Sequence, residues 1–176
     1  MNQVADMPYA LYLSLLGKYF VGFAADVQFT GGRYGWAGLV NPLGSRVNLH
    51  VYVWTVTNFG STPINTEIWF NADIPDGTAQ SEYETPANTA LCPLPQPRSR
   101  IMQINDIACH PCHGDMILTK TVASEVTIVG EEEGKFVFPP GGSLGVYIYG
   151  ADASGGPGIG NVAFGWWEER INKEEC

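Results

Sequence analysis

Five consecutive residues, 109–113, read CHPCH and hold two of the four cysteines and two of the three histidines in this 176-residue chain. Thiolate and imidazole groups bind soft metals, ligate haem and exchange disulfides. Cys-x-x-Cys-His is the pattern of covalent haem attachment, in which Cys109 and Cys112 would bond the vinyl groups and His113 would be an axial ligand. That attachment normally follows export, and no second haem ligand stands out.

Zinc is a second interpretation of the same residues. Cys109 and Cys112 could be joined by His113 or His110 and by Cys92, because Zn²⁺ takes four Cys or His ligands in a tetrahedron. A second closely spaced ligand pair is missing, and a thioredoxin-like redox role needs a βαβ context that is also missing. The favoured interpretation has no cofactor: the two cysteines lie in a surface turn between strands, reduced or joined to each other or to another chain.

Cys176 is the last residue and follows the charged stretch EERINKEE. A thiol on an exposed tail is suited to an intermolecular bond, and a free thiol without a partner is the equally open alternative. The sequence therefore offers four candidates for intersubunit or intrachain disulfides: Cys92, Cys109, Cys112 and Cys176. Four cysteines allow about three full pairings, and spacing does not choose among them.

Catalytic patterns are scarce, so we expect a protein that is not an enzyme. His50 is the only histidine outside the CHPCH stretch, so a Ser/His/Asp arrangement would have to rely on it. The acidic stretch GEEEGK (residues 130–135) lacks the alternating ligand spacing of a calcium loop and predicts a solvated turn. The glycine-rich stretches at 138–143 and 154–160 open no predicted helix and also predict turns.

The aromatic residues suggest a binding surface instead. A platform for stacking sugar rings could be built from Trp54, Trp69, Trp166, Trp167, Tyr147 and Tyr149. We take Trp54, Trp166 and Trp167 as a candidate aromatic contact surface, with a glycan as one candidate partner. Adjacent strand residues point to opposite faces, so Trp166 and Trp167 cannot both be exposed on one side.

Composition indicates an all-β protein. Apolar residues make up 45% and charged residues 15%, with 21 glycines and 12 prolines, which favours many short strands joined by tight turns. We predict a two-sheet antiparallel sandwich of jelly-roll type with an extended N-terminal arm. The net charge of −9 and the lack of a basic stripe make nucleic acid an unfavourable partner.

The clearest predicted strand is VNLHVYVWTVTN (47–58), in which Val47, Leu49, Val51 and Val53 alternate with a face that includes Trp54. A turn then predicts INTEIWFNADI (64–74) as its antiparallel partner. The proline-rich segment 75–97 predicts a long loop or an edge. Further strands are predicted at 18–24, 34–40, 100–105, 116–123, 126–129, 135–138, 144–149 and 162–169.

Residues 1–17 are expected to form an arm, 18–170 a single sandwich and 171–176 a charged tail. The apolar N-terminus lacks a basic leading region and is interrupted by Gly17 and Lys18, so it predicts neither a conventional secretion signal nor a membrane span. The arm could instead add to the edge of a neighbouring sandwich. Its apolar side chains are Tyr9, Leu11, Leu13, Leu15 and Leu16.

Several stretches resemble an uncharacterised family of small β-rich proteins from spore-forming Bacillota, a domain of unknown function. They are YFVGFA, WAGLVNPLGS, VNLHVYVWTVTNFGSTP, IWFNA, TPANTA, GKFVFPPGGS and VAFGWWEE, which span residues 18–169. The CHPCH stretch and the INKEEC tail depart from the expected family pattern. In architecture alone, the chain is similar to jelly-roll subunits of endospore appendages, which join through strand addition and intersubunit disulfides.

These observations lead us to expect a non-enzymatic structural subunit that binds copies of itself and assembles into an extracellular or spore-surface fibre or layer. A carbohydrate- or small-ligand-binding sandwich is the first alternative. A protein carrying zinc or covalent haem at Cys109, Cys112 and His113 is the second.

Overall fold

The structure is a computed structural model that describes residues 6–151 and 156–171. Cys176 and the rest of the predicted tail beyond Ile171 lie outside the described residues. One helix, α1 (Tyr9–Leu15), precedes the strands. The strands are β1 (Tyr19–Phe29), β2 (Tyr34–Val40), β3 (Val47–Asn58), β4 (Ile64–Phe70), β5 (Ala79–Gln80), β6 (Glu84–Pro86), β7 (Arg100–Ile107), β8 (Asp115–Val122), β9 (Thr127–Phe138), β10 (Ser143–Gly150) and β11 (Gly158–Arg170).

The strands form two antiparallel sheets that pack as a sandwich. Sheet A has the order β6-β1-β11-β3-β9, and sheet B has the order β5-β7-β2-β10-β4-β8. When β7 and the two short strands β5 and β6 are set aside, the other eight strands pair in a nested order: β1 with β11, β2 with β10, β3 with β9 and β4 with β8. This nested pairing is the jelly-roll arrangement, so the predicted fold class is confirmed.

The proline-rich segment 75–97 forms only edge strands and loops, as predicted. It supplies only β5 at one edge of sheet B and β6 at one edge of sheet A. Proline cannot donate to a ladder, so a segment this rich in proline suits an edge rather than a sheet centre.

The predicted pairing of β3 with the next strand was wrong, because the two lie in different sheets. The turn at 59–63 crosses from sheet A to sheet B, and the buried Asn58 side chain fixes this crossing. Its amide nitrogen donates to the carbonyl oxygens of Thr62 at 2.8 Å and Ala123 at 3.1 Å.

The acidic stretch is part of a strand rather than a separate turn. β9 runs without a break through residues 127–138 and bulges where Glu133 and Gly134 adopt positive φ angles of 53° and 81°. On β3 the pairing advances from Val51 to Val53, whereas on β9 it moves from Phe136 to Glu131. The surplus residues form the bulge, which is common at sheet edges.

A bulge in β3 itself inverts the predicted faces of this strand, because β3 advances from Val51 to Val53 while its partner β11 moves only from Trp166 to Gly165. Val47, Leu49 and Val51 point into the core, but beyond Tyr52 the alternation shifts by one residue. Trp54 therefore enters the core with 1% exposure, and Val53 points outward. A period-two pattern read through a bulge assigns every later side chain to the wrong face.

The predicted extended arm is instead the short helix α1. Its residue Leu13 is 5% exposed, and the Tyr9 ring meets the Trp167 ring edge-on at 5.7 Å. The leucines at 11, 13 and 15 alternate as in a strand, but Tyr9 and Leu13 are four residues apart and share one helical face. Within the part of the chain that the structure describes, no helix is long and apolar enough to cross a membrane.

Candidate functional site

Residues 108–114, here called the CHPCH loop, join β7 to β8 and lie over the outer face of sheet B. This confirms the predicted surface turn between two strands. Cys109 and Cys112 are both exposed, and neither they nor Cys92 form a disulfide among the described residues. Both thiols are therefore accessible to another molecule.

A buried carboxylate lies beneath this loop. Strand register places Trp36, Tyr147 and Glu67 side by side across β2, β10 and β4. Glu67 is 5% exposed although it points away from the core. Its oxygens accept hydrogen bonds from the Trp69 indole at 3.0 Å and the Tyr149 hydroxyl at 2.8 Å. These donors offset the cost of removing the carboxylate from water.

The His110 ring completes this arrangement. Its Nε2 lies 3.1 Å from Glu67 Oε2, and its side chain is 42% exposed. Four aromatic rings surround the imidazole and form what we call the aromatic box. The ring centroids lie 4.4 Å away for Tyr34, 6.1 Å for Trp69, 6.1 Å for Tyr147 and 6.3 Å for Tyr149.

Two glycines let the floor of this face form. A Cβ on Gly38 would lie 2.4 Å from the Trp36 ring, and one on Gly145 would lie 3.1 Å from Trp36 Nε1. The indole therefore lies flat over strands β2 and β10. Trp36 is 1% exposed, and its N–H has no hydrogen-bond acceptor among the described residues.

Burial also alters the acidity of the box. It raises the pKa of Tyr147 well above its usual range, and the nearby Asp73, Cys109 and Glu67 raise this pKa further. Burial, together with the hydrogen bond to Glu67, raises the pKa of Tyr149 to about 12. Both phenols therefore stay neutral at physiological pH, so they can donate hydrogen bonds and offer uncharged ring faces.

A cavity of about 520 Å³ adjoins the box. The CHPCH loop and the segment 73–76 form its walls, and His110 and Tyr147 line both the cavity and the box. Asp73, Asp76 and Asp106 contribute to the lining. The Arg33 guanidinium also borders it and donates to the backbone carbonyl of Asp106. Three carboxylates therefore share this lining with one guanidinium, and the opening is net acidic.

The predicted metal ligands do not converge. His113 Nδ1 lies 2.8 Å from Asp73 Oδ2, and His110 contacts Glu67, so the two loop histidines face different carboxylates. Across residues 6–151 and 156–171, no three His, Cys, Asp or Glu side chains are grouped as a metal site would require. The set Cys109, Cys112 and His113 is not assembled here.

The outer face of sheet A carries a different surface. At one end, helix α1 covers Trp167, which also stacks on His50 with centroids 4.1 Å apart. Only Leu13 of the helix is buried. The other large apolar side chains of the segment stay 47–62% exposed: Tyr9, Leu11, Tyr12, Leu15 and Leu16.

An apolar groove of about 640 Å³ continues along the same face. Its floor is low because the β11 residues that line it are the small Ala163 and Gly165 together with Phe164, whose side chain is buried in the core. Val21 and Phe23 form one side and Val53 the other. Tyr83 stacks on Phe23 at 4.6 Å and raises the wall. The bulge in β3 places Val53 here, so the irregularity that buries Trp54 also builds the groove.

The model of a family of unknown function, DUF6143, matches residues 1–173. The chain belongs to this family. Neither a curated protein nor a solved structure matches it. The match includes α1, so the helix and the sandwich are parts of one family unit.

One set of predicted residues lies in unexpected places. Trp54, Trp166 and Trp167 are 1%, 0% and 8% exposed, so the predicted aromatic contact surface was wrong. The first two fill the core, and the third lies under α1 and His50. As predicted, the adjacent tryptophans point to opposite faces.

Sequence reasoning missed Glu67, Tyr34 and the groove residues around Tyr83. Glu67 occupies an outward position of β4, where a glutamate is ordinarily solvated. Only the register with Tyr147 and the return of the CHPCH loop bury it. The abundance of aromatic residues on β10 and β4 was the one available signal.

Proposed function

We propose that this chain is a non-enzymatic structural subunit that self-assembles, with a second copy of the chain as the partner of the apolar face of sheet A. The observation that carries the proposal is the exposure of α1. The helix buries one leucine against its own sandwich and presents several large apolar side chains to solvent. An exposed apolar patch of this kind marks a contact surface.

Charge favours a second copy as the occupant of this face. Residues 7–17 carry no ionisable side chain other than tyrosine, whereas the chain as a whole has a net charge of −9. Two copies therefore repel over most of their surfaces but not through α1. A neutral helix can enter the groove beside Val53 and Phe23 without bringing a charge near Glu82 and Glu84, which lie at its rim.

Helix α1 and the groove lie on the same face of sheet A, so a two-fold symmetric dimer can bury both at once. Each copy then places α1 against the groove of the other, which gives an isologous dimer. A fibre or layer needs a second contact. Cys109 and Cys112 lie on the outer face of the opposite sheet, so disulfides there would join dimers without interfering with the first contact.

Packing of an intact helix replaces the strand addition that we expected from the sequence. The segment 9–15 satisfies its backbone groups as a helix. Adding it as a strand to a neighbour's edge would require this helix to unfold first. We further propose an extracellular or spore-surface location, which rests on the resemblance to proteins of spore-forming Bacillota and to endospore appendage subunits.

Sedimentation velocity of Leu11→Glu tests the interface. Leu11 is 48% exposed and lies in the first half of α1, where a glutamate suits the helix dipole. Under reducing conditions the variant should sediment as a monomer, whereas the wild type should form dimers. Phe59→Glu is the matched control. Phe59 is similarly exposed, at 53%, but it follows the last residue of β3, whereas His50, next to α1, lies near the first. If Leu11→Glu dimerises as the wild type does, the interface is elsewhere.

A further inference from the structure

The aromatic box has the chemistry of a site for a positively charged group. Glu67 supplies a buried carboxylate, and the rings of Tyr34, Trp69, Tyr147 and Tyr149 surround one point in front of it. A cation within about 6 Å of an aromatic centroid is attracted to the ring face, most strongly where water is excluded. Aromatic cages of this kind recognise organic ammonium ions.

His110 occupies that point in this structure. Its Nε2 stands 3.1 Å from Glu67 Oε2, where the N–H of an ammonium ion would lie. The imidazole arrives on a loop of mostly exposed residues, and its own side chain is 42% exposed. Among the described groups that contact the Glu67 carboxylate, namely the Trp69 indole, the Tyr149 hydroxyl and the His110 imidazole, only the imidazole does not come from the sheet. The box can therefore exchange this occupant without rearrangement of β4 or β10.

The cavity beside the box gives a route for the exchange. Its volume of about 520 Å³ lies within the roughly 300–1,000 Å³ typical of small-molecule sites. Asp73, Asp76 and Asp106 make it attractive to cations, and Ile74, Ile104 and Ile107 offer apolar contact. A ligand that fits both is an ammonium ion with a short hydrocarbon part.

We propose that the aromatic box is a binding site for an organic ammonium ion, which enters through the acidic cavity and displaces His110. The ammonium group takes the place of the imidazole against Glu67 and the four rings, and its hydrocarbon part lies in the cavity. This inference does not depend on dimerisation through the apolar face of sheet A, because the box and the apolar groove lie on opposite faces of the sandwich. Its test is made in reductant, so that Cys109 and Cys112 form no disulfide beside His110.

The test is a titration of ¹⁵N-labelled full-length protein with n-butylammonium and tetramethylammonium, followed through the Trp69 indole N–H resonance. This N–H bonds to Glu67 at 3.0 Å and so reports directly on the box. Butanol and sodium chloride are the matched probes without an organic cation. His110→Ala should bind the ammonium ions about tenfold more tightly than the wild type, because the competing side chain is removed.

Glu67→Gln in the His110→Ala background should weaken binding about tenfold, since it removes the buried charge. His113→Ala is the control for the loop and should leave the affinity within about threefold of the wild type. Tyr34→Leu in the His110→Ala background removes the nearest ring without touching the Glu67 hydrogen bonds, and should also weaken binding. This variant decides the question if Glu67→Gln does not fold.

The proposal is overturned if His110→Ala shows no saturable shift with either ammonium ion. It is also overturned if butanol produces the same shift. The same holds if Glu67→Gln leaves the affinity for the ammonium ions unchanged; if Glu67→Gln does not fold, Tyr34→Leu decides instead.

Discussion

His50 stacks flat against Trp167, with ring centroids 4.1 Å apart and an interplanar angle of 15°. This stack is the base on which α1 rests, because the Tyr9 ring contacts the same indole edge-on. Trp167 lies outside the core between the two sheets, yet its side chain is only 8% exposed because Tyr9 and His50 cover it. It links the family's helix to its sandwich.

Gly134→Ala should destabilise the protein by about 3 kcal/mol. The added Cβ would lie 2.0 Å from Trp167 Cη2, and the residue has a φ of 81°, so steric overlap and backbone strain act together. Gly32→Ala separates the two effects, because Gly32 has a φ of 71° but no atom within 4 Å of its Cβ position. It should lose only about 1 kcal/mol in urea unfolding. Equal losses would show that Trp167 is not packed as described.

Leu13→Ala should release α1 while the sandwich stays folded. Loss of about 2 kcal/mol of docking energy corresponds to roughly 30-fold faster hydrogen exchange of the Leu16 and Lys18 amides. Both amides donate to helix carbonyls, at 3.1 and 2.9 Å. Leu11→Ala on the exposed face should leave their exchange in the monomer almost unchanged. Similar exchange in both variants would mean that Leu13 does not anchor the helix.

Glu84→Gln should change how stability depends on pH. Burial raises the pKa of Glu84 above its ordinary value of 4.5, and its carboxylate accepts the Ile101 N–H. The folded state therefore prefers the protonated acid, and this stabilisation is lost as the pH rises through the folded-state pKa. From about pH 4 to about pH 7, the free energy of unfolding of the wild type should fall relative to that of the variant.

A constant difference between Glu84→Gln and the wild type would contradict the raised pKa.

Tyr19 and Tyr149, like Tyr147, should ionise late in alkaline titration. Burial, with a smaller effect of Tyr52, raises the pKa of Tyr19 to about 12, and burial with the Glu67 hydrogen bond does the same for Tyr149. Both groups stabilise the fold below about pH 10, and this contribution disappears as the pH rises to about 12. Phenolate absorbance of the folded protein should therefore show a late phase that Tyr19→Phe and Tyr149→Phe each reduce. In urea all tyrosines should ionise together.

The strand pattern was readable from the sequence because alternation is local. Val47, Leu49 and Val51 alternate with polar or aromatic neighbours, and the structure agrees as far as Tyr52. The faces of Val53 and Trp54 were not predictable, because the bulge depends on the partner strands β9 and β11. The groove was not predictable for the same reason, because it forms only if the Val53 side chain lies on the outer face of sheet A.

The helix and the buried carboxylate were hidden by tertiary context. Residues 9–15 satisfy both a strand period and a helix period, and docking on Trp167 favours the helix. Glu67 is buried by residues about 40 and 80 positions away in the chain, namely His110 and Tyr149. The CHPCH stretch was recognised as a surface turn, but its role in covering Glu67 was not.

Sedimentation and negative-stain electron microscopy of the full chain, with and without reductant, test self-assembly most directly. We expect dimers in reductant that persist on dilution into the low micromolar range, and ordered higher assemblies once Cys109 and Cys112 can oxidise. Reduction should return these assemblies to dimers. Monomers under both conditions, at every concentration, would contradict the proposal that the apolar face of sheet A binds a second copy.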